Sequence, residues 1–275
     1  MNKSLKIVIR DQDIDDINIW QMKLELENIN QLKYIYFDFS SNKITEIGVI
    51  KISEIINNQS KLESLNLYLW NNEITSIGFD WLMFSLTPLT HLKFLSIGVG
   101  NNNNICDFDA ANYCPLPYLK KMKLSMFNNN ISNKGSENIG IFISSLKSLT
   151  HLTLDIGHNK LCNNKIYNFC KGIQSLTNLS LLKIYFTNNV INIEHNHICT
   201  MLLNLPNLEQ LYLYFDENNT IYDKFAEMIG KCIMELPKLN KIHISFLTTK
   251  VSNAAKIDLE SKFSSKFDYN SFDVY

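Results

Sequence analysis

Arginine is almost absent from this chain: Arg10 is the only one, and every other basic residue is a lysine. Recognition of phosphates and base edges leans on arginine's planar fork, and a formal net charge of −1 offers a polyanion no electrostatic footprint, so nucleic acid is not an expected partner. Long apolar runs are missing as well. Residues Met1 to Asp16 alternate and carry charge in place of a basic segment followed by an apolar one, so neither a membrane span nor a secretory signal is expected. The nine glycines are scattered, with no G-x-x-x-x-G-K-S/T phosphate loop, and no H-E-x-x-H or nucleophile-elbow motif occurs. Six cysteines (Cys106, Cys114, Cys162, Cys170, Cys199, Cys232) form no C-x-x-C pair and fall mostly among apolar residues of predicted helices. That pattern points to free thiols in a reducing, intracellular and cytoplasmic setting. The nearest thing to a metal pattern is Glu194-His195-Asn196-His197, whose histidines sit two apart at a helix start and so point in different directions. These absences leave no catalytic residue, metal or cofactor to expect.

What is present is a period. Leucines recur as the first residue of one pattern at Leu32, Leu62, Leu92, Leu119, Leu149, Leu179, Leu208 and Leu239, at intervals of 30, 30, 27, 30, 30, 29 and 31 residues. After each of these anchors the apolar residues alternate, as in Leu65, Leu67 and Leu69 or Leu211, Leu213 and Phe215, the period of a strand with one buried face. The spacing then becomes helical, as in Ile44, Ile47, Ile52, Ile55 and Ile56, so each repeat is predicted to close with a helix. Strand, turn and helix repeated in one sense require parallel strands. Between strand and helix stands a column of asparagines, Asn42, Asn72, Asn102, Asn129, Asn159, Asn189 and Asn218. A side chain with both donor and acceptor satisfies backbone groups that the turn buries, so the column is expected to be structural. At Asn102 the register stays open, because Asn101 to Asn104 fit neighbouring alignments equally well.

The cores Leu67-Tyr68-Leu69-Trp70-Asn71-Asn72-Glu73-Ile74 and Leu154-Asp155-Ile156-Gly157-His158-Asn159-Lys160-Leu161 resemble the leucine-rich repeats of the ribonuclease-inhibitor-like class, across roughly residues 1 to 251. The resemblance implies an α/β horseshoe-shaped solenoid of about nine repeats, with a concave parallel sheet, outer helices and a non-catalytic binding role. It also resembles the long, asparagine-rich repeats of AT-rich protist genomes. The anchor leucine lies two residues further upstream than in the family pattern, which suggests longer strands. The first copy, with Gln12 at the asparagine position, and the last, with Thr249, read as caps, and Ala254 to Phe263 as a closing helix. One domain is expected, residues 1–263, followed by a tail, 264–275.

With the leucines pointing inward, the residues between and after them face out onto the concave sheet. Seven of these are aromatic: Tyr36, Tyr68, Trp70, Phe127, Tyr185, Tyr212 and Tyr214. Tyrosine and tryptophan dominate interface energetics, although they also suit strands, so these side chains serve a protein partner or the sheet itself. Gly98, Gly100, Ser125 and Gly157 read as a smooth saddle between two aromatic clusters, Lys123, Asp155 and Lys183 as a charge ladder, and His243 as the one histidine on this face. The expected function is a protein-interaction or scaffold module, or a subunit of a larger assembly; regulation of an enzyme such as a GTPase or nuclease is the alternative. Phe263, Phe267, Tyr269, Phe272 and Tyr275 in the tail are too many aromatics for a solvated segment. They dock on the last repeat or on a partner.

Overall fold

A computed structural model of the chain describes residues 3–26, 28–102, 104–109, 116–191 and 196–275, with the side chains of residues 163, 164 and 269 outside that description. The expectations placed on Cys114, Glu194 and His195 therefore lie outside the described residues. The chain forms two compact units, Met1–Asn138 and Ile139–Tyr275. Both are α/β, built of repeated strands and helices.

The first unit runs β1 (Ser4–Val8), α1 (Asp16–Glu25), β2 (Tyr34–Asp38), α2 (Glu46–Asn57), β3 (Ser64–Tyr68), α3 (Ser76–Ser85), β4 (Phe94–Gly98) and β5 (Lys121–Ser125), and α4 (Asn133–Ser145) crosses into the second. The second continues with β6 (His151–Asp155), α5 (Asn163–Ile173), β7 (Leu181–Tyr185), α6 (His197–Leu203), β8 (Gln210–Tyr214), α7 (Asp223–Glu235), β9 (Lys241–Ser245), α8 (Asn253–Ser264) and β10 (Phe272–Val274). In each unit consecutive strands pair in parallel, β1 through β5 and β6 through β10. A constant repeat length keeps equivalent residues opposite one another: Leu65 pairs with Ile35 on one side and Leu95 on the other, all fully buried. This apolar ladder against the helices is the core of each unit.

Strands β1 to β9 are each five residues long, so the upstream anchor leucine does not lengthen them. It sits in a turn instead. The N–H groups of Leu62, Leu92, Leu149 and Leu179 donate to the carbonyls of Gln59, Leu89, Leu146 and Leu176 at 2.9 to 3.0 Å, and sheet bonding starts one residue later, where Glu63 N–H reaches Lys33 O at 2.9 Å. The anchor is buried because it plugs the helix-to-strand turn.

Immediately before each asparagine of the column the backbone turns left-handed: Ser41, Asn71, Asn101, Asn128, His158, Asn188 and Glu217 all have φ between 48° and 59°. Asparagine tolerates this region better than most residues, which explains the doublets Asn71-Asn72, Asn101-Asn102, Asn128-Asn129 and Asn188-Asn189. The first of each pair makes the turn and the second buries its amide. Asp11 and Thr248 take the same conformation in the first and last repeats. Helix starts are joined across repeats as well. The Asp16 carboxylate accepts from Thr45 N–H and Gly48 N–H, both at 2.9 Å, so the first residue of α1 caps α2.

The shortened repeat between β4 and β5 departs from the expected pattern, for it has no helix among the described residues. Ile105, Phe108 and Leu116 bury their side chains there, and Phe108 meets Phe79 edge-on at 5.0 Å.

Candidate functional site

The asparagine column is a set of side-chain bridges between turns. Asn72 Oδ1 accepts from Ile44 N–H at 3.0 Å while its Nδ2 donates to Phe39 O and Trp70 O. Asn102 does the same for Ile74 N–H, Leu69 O, Val99 O and Gly100 O, which fixes the register left open at Asn101 to Asn104. Asn129, Asn159, Asn189 and Asn218 are equally buried and donate to turn carbonyls; Asn42 is half-buried and donates to Ile9 O and Phe39 O. In the last repeat Thr249 substitutes, its hydroxyl donating to Phe246 O at 2.7 Å and accepting from Val251 N–H. Every one of these bonds is occupied by backbone.

The face of the sheet opposite the helices carries the aromatic residues. In the first unit Tyr36 and Tyr68 are neighbours with ring centroids 5.7 Å apart, and Lys6 lies 5.2 Å over Tyr36. Tyr68 shares a hydrogen bond with Ser96 at 3.1 Å. Just past the strand ends, Arg10 pairs with Asp38, whose carboxylate also accepts from Ser40 N–H and, at 2.7 Å, from Ser40 Oγ. Asp38 is fully buried, not displayed to solvent as the alternation suggested. Burial alone would raise its carboxyl pKa, but hydrogen bonds from Arg10 and Ser40 and the guanidinium charge outweigh it and hold the group below the usual carboxylate range. Arg10, Asp11, Tyr36, Asp38, Ser40, Ser41, Tyr68 and Trp70 together line an open hollow of about 440 Å³.

Gly98 and Gly100 are not a smooth part of the surface, because the Trp70 indole lies on them. A Cβ at Gly98 would stand 2.2 Å from Trp70 Nε1, and one at Gly100 2.4 Å from the six-membered ring. Only glycine lets the indole lie flat on the next strand. Gly98→Ala should therefore cost roughly 1–3 kcal/mol by overpacking, and much less in a Trp70→Ala background, where the methyl has nothing to meet. Equal losses in the two backgrounds would remove this account of the glycines. Phe127, two residues past β5, is half-buried on the same side.

In the second unit the aromatic side chains pack on one another. Tyr185 and Tyr214 stack at 4.4 Å with an interplanar angle of 14°, and His243 continues the row, 4.9 Å from Tyr214 and 5.3 Å from Tyr275. Lys183 does not serve as a rung of a charge ladder: its ammonium lies 4.9, 5.5 and 5.1 Å from the rings of Tyr185, Tyr212 and Tyr214. Burial opposes its charge, yet hydrogen bonding to the Tyr185 and Tyr214 hydroxyls prevails and raises its pKa. Asp155 stands opposite Tyr185 in register and accepts from Gly157 N–H.

Comparison with known proteins adds little to this geometry. No family model matches the chain, and no curated protein matches it at a significant level. Among solved structures it is similar to the crystal structure of the TLR13–ssRNA13 complex, with 16% identity over 91% of this chain and 48% of that one, at a TM-score of 0.34. The chain thus spans about half the length of that neighbour. Among the described residues no helix is long and apolar enough to cross a membrane, and no three His, Cys, Asp or Glu side chains are grouped to hold a metal ion. Cys170, Cys199 and Cys232 are buried free thiols on α5, α6 and α7, whereas Cys162 is exposed and Cys106 half-buried. His197, from the histidine pair, packs its ring 4.8 Å from Tyr167.

The signal that sequence reasoning missed lies on the helices. Ile47, which the helical spacing assigned to the core, is 58% exposed, and so are its equivalents one repeat away on either side, Ile17 and Ile77, at 63% and 60%.

Proposed function

We propose that this chain is a non-catalytic protein-interaction module, of the ribonuclease-inhibitor-like class of leucine-rich repeats, which holds a partner protein against the open sheet face of its first unit. The observation that carries the reading is the hollow walled by Tyr36, Tyr68 and Trp70, with the Arg10–Asp38–Ser40 network at its floor. Half-buried aromatic walls around a charged, hydrogen-bonded floor offer a partner side chain both apolar contact and a fixed polar address. The second unit's tyrosines are poorer candidates, because stacking and Lys183 already occupy much of their ring faces. An helix in most repeats and a repeat of about 30 residues support the subclass, and the three buried thiols support a reducing compartment.

The test begins with affinity purification to identify a partner, followed by titration of that partner against variants. Tyr68→Ala with Trp70→Ala should weaken binding by about 2 kcal/mol, near thirtyfold, with the fold retained. Wild-type affinity in a folded double variant would refute the assignment of this face.

A further inference from the structure

The outer helices of the first unit carry an apolar surface that the core does not need. Ile17, Trp20 and Leu24 on α1, Ile47 on α2, and Ile77, Trp81 and Phe84 on α3 are between 44% and 63% exposed. Two of the three tryptophans stand here. By contrast, α7 exposes no large apolar side chain and carries a solvated ion pair, Glu227 with Lys231, at 2.6 Å. Large apolar patches confined to one face mark association surfaces.

The patch has both a projection and recesses. Trp81 and Phe84 meet edge-on at 6.2 Å and stand out from α3 as one knob. A groove of about 540 Å³ opens among Asp15, Ile17, Trp20, Lys43, Ile47 and Lys51. A second, of about 360 Å³, lies beside the knob, and the buried hydroxyl of Ser53 at its edge finds no hydrogen-bond partner among the described residues. Seven such half-exposed side chains present on the order of 700 Å² together, at roughly 100 Å² each, against about 800 Å² per partner in a stable complex.

We propose that this face binds a second copy of the chain in a two-fold arrangement, with the Trp81–Phe84 knob of each copy seated in the Ile17–Trp20–Ile47 groove of the other. A two-fold interface must be complementary to itself, and knob and groove lie in the same patch. The rim charges do not oppose this arrangement: Lys51 and Lys23 pair with Glu54 at 2.7 and 3.7 Å and Asp16 caps α2, so the rim is of mixed sign and neutralised within the chain. An anionic membrane surface would instead favour a rim of one sign.

Sedimentation equilibrium of the full chain over a concentration series tests this. The wild type should behave as a dimer. Ile47→Glu and, separately, Trp81→Ala should each raise the dissociation constant at least about tenfold, with circular dichroism unchanged, since both side chains are about half exposed or more. The Tyr68→Ala, Trp70→Ala variant, altered only on the sheet face, should dimerise normally. A wild type that is monomeric throughout overturns the proposal. So does a dimer that both outer-face variants leave intact, or one that only the sheet-face variant breaks.

Discussion

Removing residues 264–275 should lower the stability of the isolated chain by roughly 3–5 kcal/mol, the scale of losing one buried phenylalanine. The segment is part of the second unit. β10 pairs in parallel with β9, and Phe246 N–H donates to Tyr275 O at 2.7 Å. Phe267 and Val274 are buried, and Phe263 at the end of α8 is in ring contact with Phe267 and Phe272 at 5.8 and 6.3 Å. Lys266 reaches back to the end of α7, where its ammonium donates to Met234 O at 2.9 Å and Leu236 O at 2.6 Å, carbonyls that the helix leaves unpaired. Truncation takes away these contacts and leaves β9 as an open edge. Urea and thermal unfolding of the full-length and truncated chains measure the loss. A truncated chain with the wild-type midpoint that no longer associates with a partner would assign the tail's aromatics to that partner, and one that changes neither property would refute both readings.

The parts of this structure that were legible in the sequence are those governed by one short-range period. Leu65 and Leu67, or Leu211 and Leu213, alternate because one face of a strand is buried, and a 30-residue recurrence brings equivalent residues into register in the sheet. The asparagine column was legible for the same reason. Misreadings cluster where the period changes. The anchor leucines looked like strand because they are apolar and two residues ahead of one, yet a turn buries them equally well. Trp70 and Gly98 belong to different repeats, so no local pattern could show that one lies on the other.

Ile47 illustrates the most consequential loss. It was assigned to the core because Ile44 stands three residues before it, but Ile44 precedes α2 and does not share its phase. Gly48, whose Cβ would stand 2.4 Å from Asp16 Oδ1, is the helix's point of close approach to its neighbour. The isoleucine beside it is thereby turned outward. Composition could not separate the two cases, since a buried and an exposed isoleucine read alike; the recurrence of Ile17, Ile47 and Ile77 at one repeat position was the available signal.

Asn218→Leu should cost roughly 3–5 kcal/mol, because the change strands several buried backbone groups at about 1–3 kcal/mol each. Asn218 is fully buried. Its two amide hydrogens are shared among Phe186 O at 3.0 Å, Phe215 O at 2.6 Å and Asp216 O at 3.1 Å, and its Oδ1 accepts from Asn189 N–H at 2.9 Å. Leucine fills the same space and makes none of these bonds, and water cannot enter to replace them. Asn42→Leu provides the comparison. Asn42 makes the same kind of bonds, to Ile9 O at 2.8 Å and Phe39 O at 2.9 Å, but it is only half-buried, so solvent can take over part of its role and the loss should fall to about 1 kcal/mol. Asn218→Asp separates donor from acceptor: the carboxylate still accepts from Asn189 N–H but faces three carbonyls it can only repel, so the loss at neutral pH should match or exceed that of leucine. Denaturant midpoints of the three variants decide the matter. A gradient from Asn42 to Asn218 is the signature of bridges that work because water is excluded, whereas equal small losses at both ends would mean that the turns hold themselves and the column is incidental to stability.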